Sequence, residues 1–442
     1  MRPCLRWLIL PALLLPLSGC AVYDRWFGPK EGPPLPGERI AVLGADRAVA
    51  ADPGLAGEPF TLPPPTVNAD WPQAGGTAEH FVGHVALPES LRRAWSTSIG
   101  HGSDRGSRLL STPVVAAGRV YALDGRARVT AVDTGTGDRI WSVDLTPKGA
   151  DGGFGGGLAF ADGRLYATTG YGQIVALDAA SGNEYWRRDV RTPLRSAPTV
   201  AGGRVYAITL DNRTEAVDAA TGAPAWTHTG ITEVASLLGH ASPAAGEGIV
   251  VVPYSSGEIF GLRADSGRVA WSDGLASARR SDVISDLADI RGLPVLYRGA
   301  AIAVSHSGRA AAIDLHSGAR LWDRDYGGTH TPAVAGDSFF LLTTDNQLLA
   351  AQTADGRVRW TASLPVYRDP ESRSERIVWA GPVLAGGRLV LTNSLGEAAF
   401  FSPYNGEQLG SLGLPAATLL PPVVAGRTLY VLSDDATLSA YR

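Results

Sequence analysis

One thirteen-residue frame returns six times between residues 129 and 360, and a chain built this way has few architectures open to it. Its first copy runs from Val129 to Trp141: alternating apolar residues, Asp133, a glycine four positions on and a tryptophan four beyond that. Further copies run from Ile174 to Trp186, Thr214 to Trp226, Ile259 to Trp271, Ala310 to Trp322 and Leu348 to Trp360, with Arg263 and Gln352 in the Asp slot of two of them. A degenerate seventh, Ala398 to Gly410, keeps the apolar run and Gly406 but has Ser402 for Asp and Gly410 for Trp.

A second element precedes each copy, first as Thr112-Pro-Val-Val-Ala-Ala-Gly-Arg-Val-Tyr121, then from near Gly157, Pro198, Pro243, Pro294, Pro332, Pro382 and Pro422. From Asp133 to Arg442, its counterpart in the last unit, seven steps span 309 residues, about 44 per repeat. Each unit holds four short apolar runs, and no stretch sustains the 3.6-residue period that a helical solenoid needs. The 54 glycines and 30 prolines likewise suit turns and strands. The predicted fold is all-β, an eight-bladed propeller of four-stranded antiparallel blades. In the first unit the strands are Pro113 to Ala116, Arg119 to Leu123, Arg128 to Val132 and Arg139 to Val143. Gly137 is expected to take positive φ in the turn, Asp133 to accept N–H bonds within it, and Trp141 to pack between blades.

The two ends complement each other. The last unit stops at Arg442 with no Trp strand after it, and the first is preceded by an orphan one, Leu91 to Trp95. Pairing them completes the eighth blade and leaves no open sheet edge. The predicted propeller is therefore one domain, residues 70–442, opening at Asp70-Trp71-Pro72-Gln73.

Residues 1–19 read as an export signal. Arg2 and Arg6 precede an apolar run, Leu8 to Leu17, too short to span a bilayer stably. Leu17-Ser-Gly-Cys20 has the form of a bacterial lipobox, which makes Cys20 a lipidation site and the mature chain membrane-anchored; an ordinary signal peptide with a chance cysteine is the alternative. Cys4 and Cys20 are the two cysteines, so no disulfide supports the mature fold. Residues 20–69, rich in proline, are expected to form a tether, with Arg39 to Leu43 able to pair as an edge strand. The formal net charge is −4, and removing the signal takes away two arginines and no acid. With no basic tract, nucleic acid is not an expected partner.

The Ala-x-Asp-x-x-x-Gly-x-x-x-Trp frame resembles the tryptophan-docking motif of propellers related to pyrroloquinoline-quinone dehydrogenases. Lipobox, eight repeats and chain length together resemble the BamB family of outer-membrane β-barrel assembly lipoproteins, over about residues 70–442. That resemblance implies a non-catalytic scaffold on the periplasmic face of the outer membrane. It would bind the POTRA domains of a BamA-like barrel insertase and assist nascent β-barrel proteins. The implied contact loops are Ala235 to Pro243 and Asp286 to Pro294. Leu237 matches a family contact leucine and Asp289 a contact aspartate; Leu238 stands where the family commonly has Arg, and Arg291 where a second Asp is expected. Asp286, Asp289 and Arg291 belong to the longest interval of the seven, 51 residues from Arg263 to Asp314. Such excess length in a loop suits a binding role. A solvated loop of mixed charge reads the same residues equally well. The 50-residue interval holding Tyr367 to Arg376 reads as a solvated charged loop.

Two other classes share features with this sequence. Quinone-dependent dehydrogenases resemble this fold, but many carry an adjacent cysteine pair beneath the cofactor, and the mature chain has Cys20 alone. A propeller binding another envelope protein or a small ligand is the runner-up. His80-x-x-x-His84 has a ligand-like spacing without a third ligand and reads as a surface or strand-turn pair. Gly152 to Gly157 lacks the Lys-Ser/Thr of a phosphate loop and reads as a tight inter-blade loop. No catalytic residue, metal or cofactor is assigned. Trp95, Trp141, Trp186, Trp226, Trp271, Trp322 and Trp360 are read as structural.

Overall fold

The computed structural model describes residues 49–442 apart from 56, 151, 154, 234–236 and 277–288. The signal segment, Cys20, Arg39 to Leu43 and Asp286 lie outside the described residues. Within them the regular structure is strand, with one 3-10 turn at Pro53–Leu55.

Blade 1 shows how the repeat folds. Val114–Ala116, Arg119–Leu123, Arg128–Asp133 and Arg139–Asp144 pair antiparallel in chain order. Ala131 lies opposite Tyr121 on one side and Trp141 on the other. A β-bulge follows at once, which re-aims the outer strand. The same small residue recurs between large neighbours at Ala176, Ala216, Ala312 and Ala350. At Gly261 an added Cβ would come within 2.1 Å of the Trp271 ring. The motif's Ala is therefore small because the Trp of its own blade lies across it. The two middle strands are buried almost throughout, whereas no position of the outer strand is fully buried. Burial rather than propensity fixes which strands lie inside.

Blades 2 to 7 repeat the pattern, opening on Gly156–Ala161, Thr199–Ala201, Ala244–Gly246, Val295–Tyr297, Ala333–Ala335 and Trp379–Ala385. Blade 8 takes Val423–Ala425, Thr428–Leu432 and Thr437–Tyr441 from the C-terminus and Arg93–Ser98 from the N-terminal side. Ala440 lies between Tyr430 and Trp95, as Ala131 lies between Tyr121 and Trp141. Arg92 and Arg442 exchange backbone bonds of 2.7 and 2.9 Å, closing the ring without a covalent link. The sheet is thus the eight-bladed propeller expected.

The N-terminal boundary differs from expectation. Residues 49–69 do not stand off as a tether: their start bonds to the third and outer strands of blade 6, and from Asn68 onward the chain runs along the inner strands of the ring. Val49 and Asp52 bond to Gln347 and Val358 of blade 6. Asn68 and Trp71 bond to the inner strands of blades 8 and 1, and Pro72 accepts from Phe160 of blade 2. The Gln73 amide brackets Val200 of blade 3 at 2.8 and 2.9 Å. Ala78, Glu79 and Val85 continue to blades 4, 5 and 7. From Asn68 onward these bonds satisfy inner-strand edges that would otherwise be unpaired.

Two smaller readings are refined. Tyr367–Asp369 and Ser374–Arg376 form an exposed hairpin, so the charged loop is solvated but regular. Gly156 and Gly157 belong to the inner strand of blade 2 rather than to a loop. A Cβ on Gly157 would meet Ser111 and Ala197, each at 2.6 Å.

Candidate functional site

The seven tryptophans act between blades. Each indole Nε1 donates to one carbonyl of the next blade, that of the residue after the Asp slot: Trp95 to Thr134, Trp141 to Ala179, Trp186 to Ala219 and Trp226 to Ala264. Trp271 donates to Leu315, Trp322 to Thr353 and Trp360 to Pro403. The ring face lies on the turn glycine of that next blade, where a Cβ at Gly137, Gly222 or Gly267 would come within 2.6–2.7 Å of the indole. Gly137 has φ of 80°. Asp133 accepts N–H bonds from Gly135 and Thr136, and those bonds hold its carboxyl below the usual range. The backbone bond that closes the turn, from the glycine N–H to the slot carbonyl, is present equally at Arg263, Gln352 and Ser402. These groups are engaged within the fold and leave no free chemistry.

The two contact loops come together. The Leu237 N–H donates to Asp289 Oδ2 at 2.9 Å, and the Asp289 carbonyl accepts from His306 N–H at 3.0 Å. Asp289 is 1% exposed, and burial pushes its carboxyl up to about 6, against the opposing pull of the Leu237 N–H and Arg291. Asp289 is therefore not the exposed contact aspartate expected from the family pattern. A buried carboxylate needs local partners, and it serves here to fix the first loop. Leu237 is half-buried beside it, and Leu238 is 42% exposed. Arg291 turns inward: its guanidinium lies beside Gly239, and burial lowers its pKa.

Arg291 reaches a cavity on the ring axis, walled by the starts of inner strands and by the segment from Trp71 to Gly83. Its water-accessible space is about 160 Å³. His80 and His240 lie in this wall, and burial lowers each to about 4; the Arg195 and Arg291 charges add to the effect at His240. His330, also in the wall, is lowered to about 3 by burial and then by Arg291. His80 and His84 are not the surface or strand-turn pair expected. Both are buried; Nδ1 of each faces a carbonyl, Pro294 and Pro63, at 2.8 Å, and His84 Nε2 accepts from Gly387 N–H. The cavity had no signature in sequence, because short stretches from seven blades and the N-terminal segment, far apart in the chain, each contribute part of its wall. Among the described residues, no group of three His, Cys, Asp or Glu side chains is placed to hold a metal ion.

With this geometry in view, the family can be assigned. Residues 125–362 match the family model described as outer membrane protein assembly factor BamB. The protein of that name from Alkalilimnicola ehrlichii is 40% identical over 364 residues, covering 82% of this chain and 90% of its own. The chain belongs to the BamB family. The crystal structure of BamB from Moraxella catarrhalis covers 80% of the chain and all of its own, with a TM-score of 0.68 at 20% identity. Quinohemoprotein alcohol dehydrogenase from Comamonas testosteroni also superposes, with a TM-score of 0.64 at 16% identity over 84% of this chain and 80% of its own. At such identities both structures establish the propeller and nothing of its chemistry. Family membership rests on the sequence match over most of both chains.

Proposed function

We propose that this chain is a non-catalytic scaffold of outer-membrane protein assembly that docks on the POTRA domains of a BamA-like insertase through the loop at Leu237 and Leu238. Its relatives are named assembly factors, and the likeness to dehydrogenases is one of fold alone. An outer-membrane location follows from that family. Lipid attachment at Cys20, exposure on the periplasmic face and help to nascent β-barrel proteins complete the reading.

One observation carries the choice of surface. A buried carboxylate, Asp289, fixes the backbone of a loop whose next residue, Leu238, is exposed and apolar. A fixed apolar anchor loses little entropy on binding. Leu237 and Leu238 supply the contact, Asp289 positions it, and Arg291 follows Asp289 in the adjoining loop.

The test is recovery of the insertase with this protein from envelopes solubilised in mild detergent. Leu237→Arg and Leu238→Glu should each lower recovery about tenfold, as removal of an interface anchor does, with circular dichroism unchanged. Recovery at the wild-type level in both folded variants would remove this surface from consideration. No barrel partner even with the wild type would sink the scaffold reading itself.

A further inference from the structure

The axial cavity contains polar atoms that neither the fold nor docking uses. His80 is 3% exposed, and its Nδ1 must donate, since the Pro294 carbonyl at 2.8 Å only accepts. Burial keeps the ring neutral at pH 7, so Nε2 presents a lone pair, and no group among the described residues meets it. Ser196 is 4% exposed; its carbonyl accepts from Thr168, while its hydroxyl has no partner among the described residues. His240 Nε2 is likewise without one. Among the described residues that line it none is acidic, and Arg291 brings a cation whose field is felt at His240 and His330. A buried acceptor, a buried hydroxyl and a cation around one space form a specific recognition pattern. Its ligand would carry negative charge for Arg291 and a hydrogen-bond donor for His80.

We propose that this cavity binds a small hydroxycarboxylate anion, its carboxylate facing Arg291 and Ser196 and its hydroxyl donating to His80. The space is large enough for about ten waters, hence for a small organic acid that displaces several of them. A bare carboxylate meets the cation but leaves the His80 lone pair unmet.

Calorimetric titration of the full-length lipoprotein in detergent, with sodium glycolate, acetate and chloride at matched ionic strength, tests the site. Glycolate should give a saturable isotherm of one site per chain. Acetate should bind about fivefold more weakly, the worth of one hydrogen bond, and chloride should give no saturable heat. Histidine-selective ¹⁵N NMR should show the His80 Nε2 signal moving with glycolate and not with acetate. Arg291→Gln should abolish the isotherm. Ser196→Ala should weaken it severalfold while leaving recovery of the barrel partner unchanged, which separates this site from docking. Absence of saturable heat with glycolate would leave the cavity to water and overturn the proposal. An isotherm unaltered in both variants, with thermal unfolding normal, would place the ligand elsewhere and overturn it too.

Discussion

A tryptophan that donates one hydrogen bond and rests on one glycine makes a clear prediction about its neighbours. Trp271→Ala removes a side chain 6% exposed and should cost about 3–5 kcal/mol, the range for large-to-small core changes, seen as a lower thermal midpoint. Gly318→Ala should destabilise the same joint from the other side, since its Cβ would come within 2.3 Å of Trp271. Gln352→Asp should change stability by less than about 1 kcal/mol, because the turn's closing backbone bond is already made there. Asp289 offers a pH test. Its folded pKa, about 6, exceeds the unfolded value of 3.8, so its contribution is fully present below pH 3.8 and is lost as pH rises through about 6. Asp289→Asn should therefore gain stability relative to wild type on going from pH 5 to pH 8, by about 1.4 kcal/mol, since about one unit of the shift lies above pH 5. Paired melts at the two pH values read this difference; equal differences would mean an ordinary carboxyl. Trp and Gly were legible in the sequence because each recurs in one frame. The inward turn of Asp289 was not, because it depends on a backbone N–H from another blade.

At the scale of the blade, seven joints carry the Trp staple and the joint between blades 7 and 8 does not. The reason lies in blade 8, whose third and fourth strands come from opposite ends of the chain, so no Asp-x-x-x-Gly turn exists for a Trp to rest on. Gly410→Trp should consequently add no stability, and a raised melting temperature would refute this account. The absence of Trp at 410 was visible in the sequence; its cause required the topology. The N-terminal segment was misjudged for a related reason. Proline-rich composition is compatible both with a free tether and with an extended strip whose backbone bonds go to a neighbour. Trp71 and Gln73 hinted at the second, and residues 49–69 follow them. Hydrogen exchange should show the Trp71 amide protected along with that of Val115, its backbone partner.

For the whole molecule, the repeat period fixed blade count and ring closure, and relatives over most of the chain fixed the family. Where the protein docks and what fills its axis depend on contacts among distant loops, and no period reports these. Closure brings Trp95 to Ala440, positions 345 residues apart. Such a contact forms late, since its loop entropy is lost before it gains anything. A chain synthesised from its N-terminus must therefore keep the Arg93–Ser98 strand unpaired until the final residues emerge. For that interval the nascent protein presents an open, aggregation-prone sheet edge.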